Sequence, residues 1–185
     1  MKNKVITSFL IVGLIIIVVA GITYAIITWT SPTINISSTS DCFKVLYAKG
    51  TNIGSDQNAA TLTPSESYTG GLSTTVKIGF SSSCTNINGS GTITLNTLST
   101  TSENLFREGL LKYAVLKNGT KIEEGNITST NPIDIEIGTL KKVSNVSSAD
   151  SYQVYVWINK VLVTNADAFS NYYGNITASV EQIHS

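Results

Sequence analysis

Residues 152–159 read YQVYVWIN, and their period decides the fold. Tyr152, Val154, Val156 and Ile158 alternate with Gln153, Tyr155, Trp157 and Asn159, which puts one set on a buried sheet face and the other on the opposite face. The same period of two recurs in both directions along the chain. Toward the C-terminus, Ile176, Ala178 and Val180 of GNITASVEQI oppose Thr177, Ser179 and Glu181. The alternation fails at Gln182 and Ile183, so this strand is expected to end near Glu181. Toward the N-terminus, Ile133, Ile135 and Ile137 flank Asp134 and Glu136, Ile93 and Leu95 alternate with Thr92 and Thr94, and Val76, Ile78 and Phe80 alternate with Lys77 and Gly79. CFKVLYA at 42–48 and YAVLK at 113–117 are further strands. The second of these runs into Asn118-Gly119 and then TKIEEG. Asn-Gly between two such runs predicts a type I′ hairpin, because both residues accept positive φ. Roughly eight or nine short strands, about ten residues apart, predict an all-β fold: an antiparallel two-sheet sandwich of jelly-roll or Greek-key type.

Helix signals beyond residue 30 are short. Ser102 to Glu108, stopped by Gly109, makes one or two turns at most. Ala166 to Tyr173 is expected to end at Gly174 in the left-handed position that closes a helix. Thr63-Pro64-Ser65-Glu66 has capping-box spacing, but Gly70-Gly71 stops it within little more than a turn. The Ser/Gly/Asn-rich stretches at 50–60 and 81–91 read as loops. No internal repeat and no second domain is evident.

The N-terminus has a different character. Lys2 and Lys4 precede a nearly unbroken apolar run from Val5 to Trp29. Such a run is long enough to span a bilayer as helix, and the lysines keep the N-terminus on the cytoplasmic side. Thr23-Tyr24-Ala25, however, places small residues at the −3 and −1 positions that a signal peptidase reads. Residues 1–29 are therefore a signal peptide or a transmembrane anchor, and residues 30–185 form an exported β-sandwich domain. Cleavage after Ala25 would leave a domain with ten basic and twelve acidic residues. A net charge of −2, with no basic cluster larger than Lys141-Lys142, excludes nucleic-acid binding.

Catalytic chemistry finds little to work with. The one histidine, His184, is next to last, where no rigid scaffold holds it. Asp134 and Glu136, two apart on the wet side of a strand, read as solubilising carboxylates. No phosphate loop and no zinc-ligand spacing occurs, so neither a cofactor nor a metal is expected. Cys42 and Cys84, the two cysteines, either pair as a disulfide in an oxidising location or remain buried thiols. Tyr155 and Trp157 either stack on a carbohydrate as a ligand platform or fill a second layer of packing. Six N-x-S/T triplets begin at Asn35, Asn88, Asn118, Asn126, Asn145 and Asn175. Asn118 belongs to the tight turn and Asn175 starts a strand.

Gly21, Thr23, Tyr24 and Ala25, at the end of the apolar run, form a Gly-x-Thr-aromatic-Ala pattern. The closing SYQVYVWINKVLVTNADAFSNYYGNITASVEQ is a Tyr-rich strand, an Asn-rich crossing and a Gly-led alternating strand. In both respects the chain resembles the TasA/camelysin-like surface and biofilm-matrix proteins of Gram-positive bacteria. The resemblance implies cleavage by a dedicated signal peptidase and a jelly-roll-like, non-enzymatic domain that self-associates into extracellular fibres. Subunits would be joined by donation of an N-terminal strand, and Ile26, Ile27, Trp29, Ile34 and Ile36 would be its buried side chains. The camelysin branch is described as metalloprotease-like, and this chain has no ligand set for that activity. Without cleavage, the alternative is a membrane-tethered binding module.

Overall fold

The computed structural model describes residues 42–48 (backbone only for 45–48), 62–168 and 170–183. The expected anchor or signal segment, the cleavage residues Thr23, Tyr24 and Ala25, the strand-donation residues, Asn35, His184 and the loop at 50–60 lie outside the described residues.

Among the described residues, ten strands build two stacked, mainly antiparallel sheets. They are β1 (Phe43–Ala48), β2 (Pro64–Ser65), β3 (Leu72–Ser81), β4 (Asn88–Thr97), β5 (Leu111–Lys117), β6 (Thr120–Asn126), β7 (Ile133–Thr139), β8 (Lys142–Val143), β9 (Asp150–Asn159) and β10 (Gly174–Ile183). The larger sheet has the order β1-β3-β9-β5-β6. The two-residue strands extend it by short parallel pairings, β2 on β9 and β8 on β3. The smaller sheet has the order β10-β4-β7. Successive strands repeatedly cross between the sheets, so among the described residues β5–β6 is the one direct hairpin. Its turn takes φ of 50° at Asn118 and 84° at Gly119, as the Asn-Gly pair requires.

The alternating apolar residues meet between the sheets. Val76, Ile78, Tyr152, Val154, Val156 and Ile158 face Ile93, Leu95, Ile135, Ile176, Ala178 and Val180 in one continuous core. Cys42 and Cys84 form a disulfide, with Cα atoms 5.9 Å apart. It ties the start of β1 to the crossing from β3 to β4, where Ser81 N–H also donates to the Cys42 carbonyl at 2.6 Å.

Four local expectations are corrected. The segment at 81–91 is a loop only as far as Ile87, and β4 begins at Asn88. Gly89 and Gly91 sit inside that strand because a Cβ there would lie 2.5 Å from the Phe43 ring and 2.9 Å from Ile137 Cδ1 respectively. Gly174 does not cap a helix. It opens β10, and the turn before it is a single 3₁₀ turn at Asn165–Asp167. Pro64–Ser65 pairs with β9 instead of starting a helix, and a 3₁₀ turn follows at Tyr68–Gly70. Finally, β10 runs two residues past Glu181, its Ile183 pairing with Asn88. The lost alternation shows instead as exposure of the Ile183 side chain.

Candidate ligand-binding face

β9 is the central strand of the larger sheet, so its outward residues lie in the middle of that sheet's outer face. Tyr155 and Trp157 point there, away from the main core, and they fare differently. Trp157 is only 2 % exposed and forms a small second cluster with Ala114 and Leu116 of β5. Tyr155 and Tyr68 pack against that cluster half-buried. Tyr68 comes from the 3₁₀ turn that folds over the sheet. Its ring meets Tyr155 edge-on at 5.2 Å and Trp157 at 6.4 Å. Gly71 lets the turn come this close, since a Cβ there would sit 2.6 Å from the Val156 carbonyl oxygen and 2.9 Å from Trp157 Cβ. Trp157 is thus removed from the expected ligand platform, because its ring has no open face, whereas Tyr155 is only half-buried.

Charged side chains frame the aromatic cluster. Lys112 Nζ lies 5.5 Å from the Trp157 ring centroid and Lys121 Nζ lies 5.8 Å from that of Tyr68. The Glu124 carboxylate bridges the two, accepting from Lys121 at 2.6 Å and from Lys112 at 2.9 Å. The hydrogen bond with Glu124 pushes the Lys121 ammonium above its usual pKa, and those from Lys121 and Lys112 hold the Glu124 carboxyl below its own. On the other side of Tyr155, the register sets Ser73 opposite it and Thr75 opposite Gln153. The result is a half-exposed tyrosine ring on a rigid strand, with hydroxyls and an amide on one flank and ammonium groups on the other. Such a face can stack on an apolar ring surface and hydrogen-bond its rim. It holds no nucleophile–base pair.

Sequence reasoning finds Tyr155 and Trp157 but misses Tyr68, Lys112, Lys121 and Glu124. No spacing along the chain announces them, since sheet order alone brings them together. A second missed group lies at the end of the sandwich. Asp167 is fully buried and accepts from Arg107 Nη2 at 2.7 Å, the Thr164 backbone N–H at 2.7 Å and its hydroxyl at 3.0 Å. Its signal was the T-N-A-D spacing, a capping box on one turn. The group fastens the loop between β9 and β10, and all its buried polar atoms are satisfied. Among the described residues no cluster of three potential metal ligands occurs. Of the Asn triplets, Asn118 is engaged by Asp150 and the Ser151 N–H, Asn145 caps a 3₁₀ turn, and Asn175 accepts from Asn96.

The disulfide fits an oxidising, extracellular location. No family model and no curated protein matches the chain. Among solved structures it is similar to a family 35 carbohydrate binding module from an environmental isolate, at 10 % identity and a TM-score of 0.36, over 88 % of this chain and 93 % of that one.

Proposed function

We propose that the chain is an exported, non-catalytic β-sandwich binding module that holds a carbohydrate on the outer face of its larger sheet. The observation that carries this reading is Tyr155, half-exposed at the centre of that face, braced edge-on by Tyr68 and flanked by Thr75 and Gln153. A braced ring has little entropy to lose on stacking, and sugar hydroxyls find donors and acceptors beside it. The apolar run at 5–29 supplies export and, if uncut, a tether. The test is a glycan array probed with the full chain and with Tyr155→Ala. The wild type is expected to retain at least one glycan class, and the variant to lose it by about tenfold or more, a loss of about 1.4 kcal/mol. A wild type that retains no glycan, or a variant that binds equally well, would overturn the reading.

A second reading keeps the TasA/camelysin-like resemblance: a non-enzymatic matrix-fibre subunit that assembles by strand donation. It is favoured by β10, which from Asn175 to Ile183 pairs with β4 alone among the described residues. A long sheet edge of this kind can accept an added strand. Ile26, Ile27, Trp29, Ile34 and Ile36 would supply the donated strand once a signal peptidase cuts after Ala25. Deleting residues 26–36 should then abolish fibres while the sandwich still folds. Fibres that form equally well without them would refute it.

A further inference from the structure

The two sheets are oppositely charged on their outer faces. β4, β7 and β10 contain no lysine or arginine, while their acidic residues Asp134, Glu136 and Glu181 are all exposed. These three share their face with Thr92, Thr94, Thr177 and Ser179, and Thr94 donates to Asp134 at 2.7 Å. The outer face of the larger sheet carries Lys44, Lys77, Lys112 and Lys121, with Glu124 the one carboxylate among them. Glu124 is shared by Lys112 and Lys121, and Lys44 and Lys77 form no ion pair among the described residues. Among the described residues, one face therefore holds three uncompensated positive charges and the other three negative ones.

We propose that these faces are two halves of one contact, in which the lysine face of one copy docks on the acidic face of the next. The complement of each face is already present on this chain, on the far side of the sandwich. Because the halves lie on opposite sides, the contact is heterologous: each bound copy presents a fresh face, and copies add in a row. Like-on-like pairing of either face is opposed by its own charge. Strands of ten, seven and ten residues cover on the order of 400 Å², about half of what a stable interface buries on each partner. The contact is accordingly weak, reversible and salt-sensitive, and it forms where copies are crowded. It uses no donated strand and does not rest on the carbohydrate reading.

The experiment uses the full chain in excess non-ionic detergent, with separate donor- and acceptor-labelled populations read by energy transfer. Transfer should rise with concentration at about 20 mM salt and fall at least tenfold near about 0.5 M, where screening shortens the reach of charges to a few ångströms. Asp134→Lys with Glu136→Lys makes both faces basic, and Lys44→Glu with Lys77→Glu makes both acidic. Each double variant alone should show no transfer, and an equimolar mixture of the two should regain it. If the first does not fold, Thr177→Lys, Ser179→Lys and Glu181→Lys together replace it on the same face, giving the same reversal of charge. Absence of transfer in the wild type at low salt, indifference to the substitutions, or a mixture that stays dark would each overturn the proposal. Glycan binding measured at about 0.5 M salt, where the self-contact is screened, reports the carbohydrate reading separately.

Discussion

The two sheets solve the same burial problem with different amounts of chain. The smaller sheet is apolar on one face and wet on the other, so its strands alternate cleanly: Ile176, Ala178 and Val180 inside, Thr177, Ser179 and Glu181 outside. The larger sheet is apolar on both faces at its centre. Val154, Val156 and Ile158 join the main core, and Trp157, Ala114 and Leu116 form a second cluster beneath Tyr68 and Tyr155. A central strand with neighbours on both sides can carry a second buried layer only if another segment covers it. Here the Tyr68–Gly70 turn does so, with the Lys112 ammonium over the Trp157 ring. A wet face thus needs only strands, whereas a covered one needs a turn brought in from elsewhere in the chain.

Four experiments would break or sharpen this contrast. Trp157→Ala should have the largest effect, about 3–5 kcal/mol by denaturant unfolding, because it empties the second layer as a core truncation would. A loss below about 1 kcal/mol would mean that the outer cluster is only a surface decoration. Next is the disulfide at the seam between the sheets. Reducing it, or replacing Cys42 and Cys84 with Ser, should cost about 2–4 kcal/mol through the freed loop in the unfolded chain, seen as a lower Tm.

A smaller effect is expected at the rim of the larger sheet, where Asp150 accepts from Asn118 Nδ2 at 2.9 Å and pairs with Lys117 at 3.3 Å. Burial works against its ionised form, yet the Asn118 amide and the Lys117 ammonium hold the carboxyl below its ordinary value. Its contribution is complete above the unfolded carboxyl pKa of about 4 and is lost as pH falls through the lower folded value. Asp150→Asn should cost about 1.5 kcal/mol at neutral pH. It should also flatten the fall of Tm between about pH 5 and 2, and an unchanged acid limb would contradict the assignment. The smallest effect belongs to the wet face of the smaller sheet. Thr94→Ala should stay within about 0.5 kcal/mol despite the lost bond to Asp134, and a larger loss would show that this face is not merely solvated.

The same contrast explains what was legible in the sequence. One-sided strands announce themselves by alternation, so the strands at 76–80, 93–95, 133–137 and 176–180 were readable, as was the Asn118-Gly119 turn. The start of β4 was not. Gly89 and Gly91 look like loop residues, and the Phe43 ring and Ile137 that occupy their missing side-chain space are distant in sequence. Tyr155 and Trp157 stood out as a pair, but nothing local says that Trp157 is covered. That depends on Tyr68, almost ninety residues earlier, and on β5 and β6 lying beside β9. Gly174 misled because a glycine after Tyr172-Tyr173 suits a helix end as well as a strand start, and the pairing of Gly174 with Thr97 decides between them.

The seam disulfide has a mechanical consequence. A pull applied at Cys42 crosses the S–S bond to Cys84, so the intervening segment with β1, β2 and β3 is bypassed. β1, which pairs with β3 alone among the described residues, would otherwise peel away first, one hydrogen bond at a time. With the bond intact, 42 residues are withheld from extension, shortening the stretched molecule by about 140–150 Å. The strain falls first on β4 and the strands that follow it, and under load the bridge decides which part of the sandwich yields.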